Sequence, residues 1–225
     1  KLSSAISMGK NVTKEITKPI KYSALVYRGP TLDGVIKEMK GSFVLESNKP
    51  VIDVAKILKK TKTDVVVNLV PSGSDKATYF YAEAELKAGC SFINCIPTPL
   101  ATNSEWRNRF EKKGLVLLGD DTKSQLGATM LNRILLEMLK IRGIKVTKSE
   151  QKNIGGNADH FNLLYRAESK EKSKSGALSK FLDNEIKPTV SFHYTGKPSG
   201  HKIVNLNIEG KMFGNIPITI TSVIE

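Results

Sequence analysis

Hydrophobic residues follow two rhythms along this chain, and the change between them falls near residue 126. From residue 64 a short, near-continuous apolar run alternates with a longer mixed segment. "DVVVNLVP" (64–71) is β-branched and too short for a helix, the pattern required of a strand buried on both faces. "SDKATYFYAEAELKAG" (74–89) then reads as a helix with Ser74 at its N-cap and Gly89 as its stop. The unit repeats as a strand in "SFINCIP" (91–97), a helix in "NSEWRNRFEKKG" (103–114), a strand in "LVLLG" (115–119) and a helix from about 124 to 142. Strand starts near 65, 91, 115 and 144 lie 24 to 29 residues apart, which predicts an α/β, doubly wound, Rossmann-like parallel sheet. Upstream, "YSALVY" (22–27) is expected as a strand. "NKPVIDVAKILKKT" (48–61) is expected as a helix with Asn48 near its N-cap and Pro50 in its first turn.

Beyond residue 126 the grammar changes. After a helix expected near 161–182, "TVSFHYTG" and the segment from His201 onward alternate apolar and polar residues, as antiparallel strands with one wet face do. Gly210 and Gly214 mark a turn between two of them. The expected organisation is a nucleotide-binding part, 1–125, followed by an α+β part, 126–225, of mostly antiparallel sheet.

Composition narrows the function classes. A chain of 225 residues, 40% hydrophobic and 25% charged, can bury one large core or two modest ones. No apolar run approaches the roughly 20 residues that cross a bilayer, so a cytoplasmic protein without a membrane partner is expected. Cys90 and Cys95 flank a strand and are expected as buried thiols; no further Cys or His completes a metal site. The net charge of +13 raises the question of nucleic acid, but it is unevenly spread: +8 over 1–62, −1 over 63–125 and +6 over 126–225. The lysines alternate with glutamates on helix exteriors and lack interleaved aromatics, which favours an anionic small molecule over nucleic acid.

In an open parallel sheet, ligands bind beyond the carboxyl ends of the strands. Three loops occupy that edge. "VPSGSDKAT" follows the first strand, where helix N–H groups attract phosphate. "CIPTPLAT" is stiffened by two prolines. In "GDDTKSQLGAT" (119–129), Asp120 and Asp121 can accept from ribose or amide groups beside the cation of Lys123. "NIGGNADHFNLL" (153–164) joins a strand to a helix with Asn157 and Asp159 free to face a ligand. "ESKEKSKS" sets Lys170 and Lys174 four apart on one helix face, with Lys172 turned away. Each of these has a plain structural alternative, a capped turn or a solvated helix end flanked by Glu168 and Glu171; a phosphate or oxyanion pocket is the functional one. Lys202, just before an apolar strand, is a third candidate cation.

Taken together, "NLVPSGSDKATYFYAEAELKAGCSFINCIPTPLAT", "GDDTKSQLGAT", "NIGGNADHFNLL" and "ESKEKSKS" closely resemble the inositol-1-phosphate (inositol-3-phosphate) synthase family in its archaeal and bacterial form. "RGPTLDGV" (28–35) is similar too, and the resemblance, strongest over 64–174, runs nearly end to end. It implies conversion of glucose 6-phosphate to inositol 3-phosphate with NAD. C5 is oxidised, a proton leaves C6, an intramolecular aldol step closes the ring, and the ketone is reduced again. Fixed cations must then stand where oxyanion charge develops. The family's "SKxxSK" lysine pair falls on Lys170 and Lys174, and its lysine at the start of the returning sheet on Lys202. Asp121 completes the implied catalytic set. Its cofactor contacts fall on Ser72, Gly73, Ser74, Pro97, Asp121, Ser124, Asn157 and Asp159. Substrate contacts are implied for Lys123, Asn157, Asp159, Lys170 and Lys174. The resemblance also implies a homotetramer and leaves room for a divalent or monovalent cation, although no closed metal-ligand set is visible in the sequence.

Four departures qualify what the resemblance implies. The family's opening Gly-rich strand-turn and its C-terminal segment are not found here, so the chain is expected to be part of a longer protein. His160 replaces a hydrophobic residue or glycine, and Lys172 an apolar residue. Two other functions stay open on sequence alone: a net NAD(P)-dependent sugar-phosphate or semialdehyde dehydrogenase, and a non-catalytic, truncated binding protein.

Overall fold

The structure, a computed structural model, describes residues 25–41, 43–122, 127–197 and 199–224. Its first half contains α1 (Val54–Lys60), β1 (Val65–Asn68), α2 (Asp75–Ala88), β2 (Ser91–Asn94), α3 (Ser104–Glu111) and β3 (Leu117–Leu118). The three strands form the expected parallel sheet in the order β1-β2-β3. Helices α2 and α3 cover one face, where Ala82, Leu86, Phe92, Leu100 and Phe110 form a core. The register sets Val67, Ile93 and Leu118 side by side on the opposite face. Val67 and Leu118 there are 50% and 53% exposed, so among the described residues this sheet is buried on one face rather than two.

Several local expectations shift. The 48–61 helix begins only at Val54, because Asp53, not Asn48, caps it by accepting from Lys56 N. Pro50 therefore lies outside it. Of 22–27, residues 25–27 have no regular structure and the rest lies outside the described residues. Ser74 does precede α2, but its side chain makes no capping bond. The cap comes instead from Asp33, whose two carboxylate oxygens accept from Lys76 N and Ala77 N at 2.7 and 2.8 Å.

In the second half, α4 (Ala128–Ile141), α5 (Ala158–Arg166) and α6 (Glu168–Ser179) pack on one face of a four-stranded sheet. Its strands are β4 (Lys145–Gly155), β5 (Thr189–Tyr194), β6 (Lys202–Lys211) and β7 (Pro217–Ile224), in the order β5-β4-β6-β7. The β4–β5 pair is parallel and the other two are antiparallel. The strand expected near 144 as a fourth member of the parallel sheet is thus β4 of this second sheet. Its alternation is that of a strand with one wet face: Lys148 and Lys152 face water while Ser149, Gln151 and Asn153 are buried. The single helix expected over 161–182 is two, α5 and α6, meeting at Ala167. Leu136, Leu139, Leu163, Leu178, Phe192 and Ile208 lie in the core beneath them.

Glu85, on α2, is fully buried and neither carboxylate oxygen has a partner among the described residues. Burial pushes its pKa up from 4.5 to about 9. The folded chain therefore keeps a proton that the unfolded chain releases, so stability is greatest below about pH 4.5 and falls as pH rises toward 9. Glu85→Gln removes this linkage. In thermal unfolding it is expected to melt several degrees above the parent at about pH 8 and together with it near pH 4; a gap unchanged by pH would contradict the assignment.

Candidate active site

The candidate lysines come from two elements. Lys170 and Lys174 stand one turn apart on α6 and reach over the same ring, with Nζ 5.7 and 5.9 Å from the centroid of Phe192 on β5. Lys202 opens β6, whose first residue pairs with Gly155 at the end of β4. All three line one cavity of about 360 Å³, together with Arg133, Asp121, Ser72, Cys95 and the first turn of α4. Four cations thus face one carboxylate among the described residues.

The cations are held in different ways. Lys170 Nζ pairs with Asp159 at 2.7 Å, and Lys174 Nζ donates to Thr129 Oγ1 at 3.1 Å. Neither Lys202 nor Arg133 forms an ion pair or hydrogen bond among the described residues. The Arg133 guanidinium lies 4.9 Å from the Phe181 ring, and its buried Nε has no partner. Burial and then the charge of Lys170 hold the Lys202 amine below the usual lysine range. His160 is buried, its Nδ1 3.0 Å from Asn157 Oδ1. Burial, then Lys202, holds this imidazole below its ordinary pKa, which keeps it from adding another charge. Lys172 points away and pairs with Glu168, as its spacing predicted.

The loops at the carboxyl edge are stitched mainly to one another. Asn68 Nδ2 donates to Asn94 Oδ1, and Asn94 Nδ2 donates to Asp120 Oδ1 at 2.8 Å. Asp120 also accepts from the backbone N–H groups of Leu100, Ala101 and Thr102, so it is a loop staple rather than a ligand acceptor. Asp121, at a positive φ of 67°, turns the other way and accepts from Ser173 Oγ of α6 at 3.1 Å. Asp33 occupies two of the N–H groups of α2, those of Lys76 and Ala77, that were expected to attract a phosphate.

The remaining expected contacts divide. Ser72 lines the cationic cavity. Gly73 lines a neighbouring hollow of about 440 Å³, where Asp75, Glu168 and Glu171 outnumber Arg166 and make it unsuited to an anion. At φ +82° Gly73 also brings its backbone so close to Arg166 that a Cβ would sit 2.8 Å from Cδ. Ser74 and Pro97 are buried. Asn157 caps α5, accepting from His160 N, and Asp159 acts through Lys170. Lys123 and Ser124 lie outside the described residues. Cys95, expected as a buried thiol, is partly exposed at the cavity wall.

Sequence reasoning missed Arg133, Thr129, Phe192 and Arg166. Arg166 donates to the carbonyls of Asp33, Gly34 and Gly73 and to Asn162 Oδ1, while Asn162 Nδ2 donates to Ser72 O. This clamp ties α5 to the loop after β1. Only the Phe192 position carried a signal, the alternation of "TVSFHYTG", and that pointed to a core residue.

Comparison with known proteins accords with this geometry. The family model for myo-inositol-1-phosphate synthase matches residues 127–225. Inositol-3-phosphate synthase of Mycobacterium tuberculosis (strain CDC 1551 / Oshkosh) is 37% identical over 226 residues, 97% of this chain and 61% of that protein. The chain thus spans about three-fifths of the length of such relatives. Among solved structures, Ari2 aligns at 34% identity with a TM-score of 0.60, over 76% of this chain and 48% of that one. A myo-inositol-1-phosphate synthase-related protein from Thermotoga maritima MSB8 aligns at 26% identity with a TM-score of 0.57, over 76% and 52%. The similarity to inositol-3-phosphate synthases is thus above one third in identity and sustained over nearly every residue of this chain.

Proposed function

We propose that the protein converts glucose 6-phosphate to 1D-myo-inositol 3-phosphate with NAD, and that the cationic cavity is where the sugar phosphate sits. The observation that carries this reading is the convergence of Arg133, Lys170, Lys174 and Lys202 on one cavity, where Arg133 and Lys202 have no counter-ion among the described residues. Taking such charges out of water is costly unless an anion joins them. A phosphoryl group suits both the planar fork of Arg133 and the first turn of α4, which lines the cavity and carries no side-chain cap.

In this reading the lysines divide the work. Lys170, charged against Asp159, and Lys174, seated on Thr129, are fixed cations for the negative charge that develops on the enolate and on the cyclising oxygen. Lys202, with its amine held below the usual lysine range, is the one suited to exchange a proton. Asp121, the lone carboxylate, orients a hydroxyl or amide at the rim.

NAD supplies a hydride acceptor and donor for C5. The residues present fit its nicotinamide end: Ser72 and Asp121 open on the cavity, and Ser74 Oγ is buried with no partner among the described residues. At α2, two of the N–H groups that could meet a pyrophosphate are already taken by Asp33. The division into a nucleotide-binding part, 1–125, and a catalytic part, 126–225, belongs to the same proposal. So do a homotetramer, a possible accessory cation and a cytoplasmic location. Among the described residues no helix is long and apolar enough to cross a membrane.

Two outcomes test the reading. The full-length protein incubated with glucose 6-phosphate and NAD is expected to form inositol phosphate without accumulating NADH, and Lys174→Ala to lower kcat by about 100-fold or more. Stoichiometric NADH would identify a net dehydrogenase instead. The second uses sulfate, whose charge is constant above neutrality. Lys202 carries its charge below its lowered pKa and loses it sooner than an ordinary lysine at 10.5, so sulfate affinity should fall as pH rises through that window. Calorimetric titration of Lys202→Met should show weaker binding at neutral pH and a flatter pH dependence.

A further inference from the structure

We propose that Asn162 is a positioning residue: by donating to the Ser72 carbonyl it selects one of the two orientations open to the Ser72–Gly73 peptide, and so holds Ser72 at the wall of the cationic cavity. Asn162 lies on α5, is 1% exposed, and both ends of its amide are engaged. Arg166 Nε donates to Oδ1 at 2.6 Å, and a guanidinium has no acceptor, so the amide atom facing it is the oxygen. Nδ2 therefore faces the other way, where it donates to Ser72 O at 2.9 Å.

The turn that receives this bond has two conformations within reach. Ser74 N donates to Pro71 O at 3.1 Å, closing a four-residue turn with Gly73 in its third position at a φ of +82°. Ser72, in the second position, has a negative φ, so the turn is type II. Types I and II share the closing bond and differ in which way the central peptide faces, and a glycine in the third position adopts either. The closing bond thus leaves the orientation open. Asn162 decides it by drawing the Ser72 carbonyl toward α5, with Arg166 donating to Gly73 O beside it at 3.4 Å. Asp159, one turn earlier on the same face of α5, pairs with Lys170 at 2.7 Å. One helix therefore sets both a cation and the Ser72 backbone at the same cavity.

The effect of Asn162 on NAD rests on the proposed reaction; its hold on the loop does not, and two measurements read them separately. In the full-length protein, Asn162→Asp keeps an acceptor for Arg166, which meets the new charge, and removes the donor to Ser72 O. Asn162→Ser removes the donor without adding charge. Hydrogen exchange read by mass spectrometry is expected to quicken about tenfold or more over 72–75 in both variants, with parent-like exchange along α5 in Asn162→Asp. Calorimetry is expected to show NAD binding weakened about tenfold, with sulfate affinity within about twofold of the parent. Parent-like exchange over 72–75 overturns the role of Asn162. So does an equal quickening along α5 in Asn162→Asp, which would mark general loosening, and so does parent-like NAD affinity in a variant whose loop has loosened. Absence of NAD binding by the parent would overturn the proposed reaction, and exchange over 72–75 would then decide on Asn162 by itself.

Discussion

Like charges must be held near one another for this site to exist. Two unit charges about 7 Å apart repel by roughly 2 kcal/mol at an effective dielectric of 20, a large share of a domain's net stability when summed over four cations. The fold meets this cost with a different device at each position. Lys170 has Asp159, Lys174 donates to Thr129, and both share the electron-rich face of Phe192. Arg133 stacks on Phe181. Ser173, between the two lysines of α6, ties that helix to Asp121 at the edge of the parallel sheet. These anchors hold the ammonium groups at the cavity, and an incoming anion then relieves a repulsion already present.

The same economy explains how the two sheets are joined. Arg166 of α5 donates to three carbonyls upstream of the parallel sheet or in its first loop, and Asn162 takes the carbonyl of Ser72. Asp33, in the segment Arg166 grips, caps α2 in turn. One helix terminus that could have bound an anion is thereby spent on internal structure. The first turn of α4, by contrast, opens on the cationic cavity, and among the described residues no side chain caps it.

How much of this was legible depended on the distance over which each interaction acts. The βα units of 64–119 could be read because a buried parallel strand and its helix are local in sequence, and their caps at Gly89 and Asn103 are local too. The cap of α2 could not, since Asp33 lies more than forty residues upstream of the N–H groups it holds. Spacing alone assigned β4 to the parallel sheet, because a period reports that a strand follows a helix and not which sheet receives it. The α6 lysines were visible from their i, i+4 spacing, whereas Lys202 was marked only by its place before an apolar strand until the resemblance gave it a role. Arg133 sat in a helix whose apolar pattern drew the eye to Leu136 and Leu139, and nothing local marked it as a cavity residue.

Helix α6 shows why hydropathy under-reads such sites. Its buried set among the described residues is the single Leu178, and on apolar pattern it reads as a solvated surface helix. Yet it sorts charge by face: Glu168 and Glu171 border one hollow, while Lys170 and Lys174 border the other. A helix with mixed charges has little net charge, so its sequence looks neutral; folded between two hollows, it separates their potentials. An anion arriving near α6 is repelled on one side and attracted on the other, and the low-dielectric walls of the cavity focus that difference. The amphipathicity that matters here is one of sign, and it becomes visible only when the packing of α6 against β5 shows which face each charge occupies.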